Sequence, residues 1–175
     1  MISAKLSQTS PGEYLARQHA IPAALKALTA LLMLGSIVSA HAAEAPDNVE
    51  AEIADAVQSC KDLEGTPNAD AVLNVEDVNG DGGEDWIADY AKLKCEGGIN
   101  QMCNVDGCTL QIFLWDGATA WTLAFEETVK SYQFGKSGGK RVLHAVMPGA
   151  ACDKPSDQTC NVTFRLDQRA VVPVR

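Results

Sequence analysis

Six cysteines set the first boundary on this chain. Cys60, Cys95, Cys103, Cys108, Cys152 and Cys160 all follow its one long apolar run, residues 27–40. An even set of cysteines behind such a run reads as a disulfide framework. Of the many possible pairings, spacing favours two local ones. Cys103–Cys108 would close a short turn over Asn104-Val105-Asp106-Gly107, and Cys152–Cys160 a polar loop containing Pro155, Ser156 and Asp157. That leaves Cys60–Cys95, which would tie the first helix to the sheet and close the longest loop. Zinc and thiol redox chemistry are both disfavoured, because no C-x-x-C occurs and His144 is the sole histidine beyond residue 42.

The apolar run explains why the cysteines lie where they do. Residues 27–40 follow Lys26 and precede Ala40-His41-Ala42, a small-x-small cleavage pattern. This is the layout of a secretory signal peptide over residues 1–42, leaving one domain at 43–175. The run is too short to span a bilayer comfortably. Cleavage would remove Lys5, Arg17, Lys26 and Glu13, taking the net charge from -9 to -11. Such a surface repels nucleic acid and anionic membrane, so neither is expected as a partner. The expected location is the periplasm or the exterior.

Residues 47–63 have the period of a helix. Val49, Ile53, Val57, Cys60 and Leu63 recur every three or four residues, Asp47 and Glu50 could form a capping box, and Gly65 and Pro67 mark the stop. From residue 70 the period shortens to that of strands, at 71–76, 86–93, 109–115, 121–125, 128–134, 141–146, 162–166 and 171–172. Regular spacing and short turns predict an α+β fold, with an N-terminal helix packed on one antiparallel β-meander and stabilised by disulfides.

Between the first two strands lies Asp77-Val78-Asn79-Gly80-Asp81-Gly82-Gly83-Glu84-Asp85. Alternate positions 77, 79, 81, 83 and 85 offer three carboxylates, an amide oxygen and a backbone carbonyl, the hard oxygen set that calcium takes. Gly80, Gly82 and Gly83 would permit the tight wrapping. The EF-hand pattern fails here, because its apolar position holds Glu84 and its bidentate acid position holds Ala88. The run is similar instead to the calcium hairpin loop of integrin-type (FG-GAP) propeller repeats. That resemblance covers one copy, implies no propeller, and implies Asp77, Asn79, Asp81, Gly83 and Asp85 as the metal ligands. The wider layout resembles an uncharacterised group of exported alphaproteobacterial proteins. It does so through Asp77–Tyr90, the Cys95, Cys103 and Cys108 cluster, and the Cys152 and Cys160 pair. This implies a periplasmic location and no activity. Read without metal, the loop is an Asx- and Gly-rich turn.

Catalytic motifs are absent from the sequence. No G-x-S-x-G or H-E-x-x-H occurs, and His144 sits in an apolar strand context. Glu126 and Glu127 are neighbours on a strand and point to opposite faces. Trp86, Trp115 and Trp121 belong to apolar strands and read as core. The expectation is a non-catalytic binding or envelope domain, with a structural calcium and a periplasmic or envelope protein as partner. An inhibitor of a periplasmic hydrolase and a small carboxylate-dependent hydrolase are the alternatives.

Overall fold

The computed structural model describes residues 44–155 and 157–174. The expected signal peptide, residues 1–42, lies outside them. The first described element is helix α1, Asp47–Asp62. Eleven strands follow: β1 (Thr66–Asn68), β2 (Leu73–Glu76), β3 (Asp85–Asp89), β4 (Lys94–Glu96), β5 (Cys103–Asn104), β6 (Gly107–Trp115), β7 (Trp121–Val129), β8 (Ser131–Ser137), β9 (Lys140–Pro148), β10 (Thr159–Asp167) and β11 (Ala170–Pro173). The fold therefore has one described helix and is otherwise mostly β.

The strands do not form the single meander that the spacing predicts. They form three antiparallel sheets. One runs β2-β3-β6-β5 with β7 also paired to β6, a second runs β11-β10-β9-β8, and β1 pairs with β4. Only β8 to β11 is a true meander. The expected strand at 128–134 is split at Lys130, a single residue between the last strand of one sheet and the first of the next. Its N–H donates to the Val146 carbonyl at 2.8 Å.

The five-stranded sheet is the middle layer, which its sequence explains. Leu110 to Leu114 are all buried, the mark of a strand covered on both faces. Leu110, Ile112 and Leu114 pack with Ile87, Phe125 and Val129 against Leu143, Met147, Phe164 and Leu166 of the four-stranded sheet. Phe125 and Phe164 meet edge to face at 5.0 Å across that seam. On the opposite face, Trp86, Ala88, Tyr90 and Phe113 pack with Val49 and Ala56 of α1. A one-residue bulge at Ala124 resets the β6–β7 register, since Ile112 faces Phe125 while Phe113 faces Leu123.

Both ends of α1 differ from expectation. The N-cap is Pro46, whose carbonyl accepts from Val49 and Glu50, and no side chain caps the end. Asp47 is already helical. At the C-terminal end Glu64, not Gly65, takes the left-handed conformation, with φ 61°. Gly65 instead makes room for the Cys60–Cys95 bridge: a Cβ there would collide with both sulfurs. All six cysteines are paired, as Cys60–Cys95, Cys103–Cys108 and Cys152–Cys160. The expected strand 86–93 ends at Asp89, whose side chain accepts the Ala91 N–H and starts a 3-10 turn at Tyr90–Lys92. Among the described residues no helix is long and apolar enough to cross a membrane.

Candidate functional site

The acidic run forms the hairpin loop between β2 and β3, whose last pair is Glu76 with Asp85. Its shape follows from side chains turned back on the backbone. Asp77 accepts the Gly80 N–H through Oδ1 at 2.6 Å and the Gly82 N–H through Oδ2 at 3.1 Å. Asn79 Oδ1 accepts the Asp81 N–H at 2.9 Å, and Asp81 Oδ1 the Gly83 N–H at 2.8 Å. The Asn79 and Asp81 bonds are successive Asx turns, and Asp77 reaches further along the loop, the side-chain-to-backbone bonding that Asp and Asn favour over strand. Gly80 and Gly82 have φ of 82° and 90°. Gly83 has no such need; it admits the Trp115 ring, which a Cβ would approach to 2.6 Å.

Two residues fasten this loop to the core. Val78 is fully buried between the two large sheets. Asp85 is equally buried, and its carboxylate bridges Val78 N–H at 3.0 Å and Trp115 N–H at 2.9 Å. Burial pushes the Asp85 carboxyl above its ordinary range, opposed by the N–H donors of Trp115 and Val78. The role of Val78 was hidden in the sequence, because one valine among acids carries no periodic pattern.

The five residues expected as ligands therefore share one loop but have unequal settings. Asp77, Asn79, Asp81 and Gly83 are accessible, while Asp85 lies beneath them. Among the described residues no three His, Cys, Asp or Glu side chains are grouped to hold a metal ion. The donor chemistry nonetheless suits a hard cation. Each of these carboxylate and amide oxygens that accepts one backbone N–H keeps a second lone pair.

The surroundings were not legible in the sequence. Arg141 of β9 lies against Gly80, where a Cβ would approach its Cγ to 3.3 Å and its Nε to 3.5 Å. With Lys136 and Lys140 it lines a cleft of about 550 Å³ that Asp77, Asn79 and Asp81 border from the loop, and Asp167 from β10. On the far side of the loop stand Trp115 and Trp121, tilted against each other at 4.3 Å. Trp121 Nε1 donates to the Glu84 carbonyl at 2.8 Å. Both rings are half-buried, so only Trp86 is the core residue that the sequence suggests.

Elsewhere, His144 is exposed, its Nδ1 at 3.0 Å from Thr163 Oγ1. Glu126 turns to Gln111, where it and Glu52 of α1 each accept from Nε2 at 3.3 Å. Gln111 is buried, and its Oε1 accepts the Tyr90 hydroxyl at 2.9 Å. Burial, with Glu52 and Glu126 nearby, drives the Tyr90 hydroxyl pKa upward. Two carboxylates thus meet on an amide, where they satisfy a buried polar group. No protein-family model matches the chain, and neither a curated protein nor a solved structure similar to it was found.

Proposed function

We propose that residues 43–175 are an exported, non-catalytic binding domain of the cell envelope, with one structural calcium ion in the 77–85 loop. Three disulfides in so small a domain belong to an oxidising compartment, which supports export. The observation that carries the metal reading is the set of Asp and Asn side chains turned inward onto the loop's own N–H groups. Asp77, Asn79 and Asp81 gather oxygens around two positive-φ glycines, on a base fixed by Val78 and Asp85. Asp77, Asn79, Asp81, Asp85 and the Gly83 carbonyl would hold the ion. It would offset repulsion among carboxylates that is worth about 1–3 kcal/mol per close pair. Its work is to stiffen the β2–β3 hairpin. A sensor would need movable helices, and α1 is the only α-helix among the described residues.

The test is thermal melting of chelated protein with and without 1 mM calcium. Linkage gives about 2.7 kcal/mol of added stability at 100-fold excess over Kd. An unchanged melting temperature would sink the metal reading.

One observation favours a second reading, inhibition of a hydrolase in the same compartment. The Cys103–Cys108 bridge closes a tight hairpin whose tip residue, Val105, is 94% exposed. Asn104 Oδ1 fixes that tip by accepting the Asp106 N–H at 2.7 Å. A rigid loop presenting one branched apolar side chain suits insertion into a small enzyme pocket. Inhibition of an elastase-type protease that Val105→Asp abolishes would support it, and no inhibition at high micromolar protein would count against it.

A further inference from the structure

Two cavities open on either side of the acidic loop. One is the cleft of about 550 Å³ walled by Lys136, Lys140 and Arg141. The other, of about 310 Å³, has Asp81 and Gly83 on one side and Trp115 on the other. Asp81 and Gln168 line both, so the two cavities border the same pair of polar side chains.

The basic wall stands out in a chain of net charge -9. Three cations lie within six residues at the β8–β9 hairpin tip, and none is paired. Among the described residues the ion pairs within 4.0 Å are Lys92–Asp89 and Arg165–Asp167 alone. Three acids line the same cleft: Asp167 is held by Arg165 at 2.8 Å, and Asp77 and Asp81 are turned onto the loop's own N–H groups, so none of them forms an ion pair with the wall. Gly80 and Gly139 border the same cleft, and a side chain at 80 would press on Arg141. The wall is therefore left facing the cleft as a cradle for an anion, and Arg141 adds a planar fork suited to a carboxylate.

A simple anion would use this wall and nothing else. The neighbouring cavity adds an aromatic surface, and Asp81 and Gln168 add acceptors and donors between the two. Apolar ring, hydroxyl-binding polar pair and cationic wall in sequence match one ligand class. We propose that this rim binds an acidic saccharide, with a uronate carboxylate against Lys140 and Arg141 and a sugar ring on Trp115. The inference deepens the binding reading above, and rests on the basic wall and Trp115 rather than on the metal.

The experiment is calorimetric titration of the protein with trigalacturonate, in chelator and again in 1 mM calcium. Maltotriose and inorganic sulfate serve as controls. Expected is saturable binding of trigalacturonate at least tenfold tighter than either control. The double variant Lys140→Gln/Arg141→Gln should weaken it tenfold or more, and Trp115→Phe severalfold. All three substituted side chains are accessible, and far-ultraviolet circular dichroism with a cooperative thermal melt verifies that the variants remain folded. Binding no tighter than that of maltotriose overturns the proposal, as does binding indifferent to the double variant. Equal affinity for sulfate overturns its saccharide part. Saccharide binding in chelator by a protein that calcium does not stabilise would uphold this inference while sinking the metal one. A calcium-stabilised protein that ignores trigalacturonate would do the reverse.

Discussion

Asp85 and Trp115 lie thirty residues apart in the chain, yet the Trp115 N–H donates to Asp85 Oδ1 at 2.9 Å. The other oxygen holds Val78. One buried carboxylate thereby joins the acidic loop to the end of β6. Asp85→Asn keeps an acceptor for one donor and turns an NH₂ toward the other. The expected cost is about 1–3 kcal/mol, measured by urea unfolding in chelator. Protonation gives a second readout. Burial raises this carboxyl above 3.8 in the folded state, so the native protein holds a proton at pH values where the unfolded chain has lost it. Stability from this group then falls as pH rises from 3.8 through the native value. Wild type should gain on Asp85→Asn as pH drops from 7 into that window, and a flat difference would contradict the assignment.

Terbium offers an optical check on the loop. Trp115 packs directly over Gly83, so a lanthanide held by Asp77, Asn79 and Asp81 would sit beside an indole. Excitation of tryptophan should produce terbium emission that saturates at one equivalent and is displaced by calcium. Asp77→Asn/Asp81→Asn should abolish it. Emission that survives the double variant would place the ion elsewhere.

The disulfides should differ in worth. Cys60–Cys95 spans 35 residues, against 8 for Cys152–Cys160 and 5 for Cys103–Cys108. Loop-closure entropy assigns the first about 4 kcal/mol and the other two about 2–3 kcal/mol each. Paired Cys→Ser variants, unfolded in denaturant, should follow that order.

The end of α1 allows a stabilising change and a damaging one at adjacent positions. Glu64 holds φ 61°, a conformation that costs a side-chained residue about 1–2 kcal/mol. Glu64→Asn should recover about 0.5–1 kcal/mol, since Asn tolerates this region. Gly65→Ala pushes a methyl into the Cys60–Cys95 sulfurs and should cost about 1–3 kcal/mol. Thermal melting of the two variants should move in opposite directions.

Local elements were legible in the sequence because local forces decide them. The apolar stripe of α1, the β-rich remainder and the hairpin at 77–85 all follow from period and turn chemistry. The layering was not read, although 109–115 carried its mark: a strand apolar at consecutive positions needs cover on both faces, and α1 can cover only one. The expected capping box failed because the Pro46 carbonyl already serves Val49 and Glu50. The split at Lys130 was not read, although the apolar period of two breaks there, from Val129 to Tyr132 and Phe134; tertiary pairing decides that the break is a change of sheet. The basic wall belongs to the same class. Lys136, Lys140 and Arg141 lie more than 50 residues from Asp77 and Asp81, and no local pattern links them.

That Lys130 junction bears on how the molecule comes apart. A single residue passes the chain from the middle layer to the outer one, and its amide is bonded to Val146 in the outer layer. There is no slack with which the outer sheet could peel away while β6 and β7 stay paired. Amide hydrogens at the centres of β6 and β9 should therefore exchange through one shared opening event, with equal free energies, and not as two independent halves.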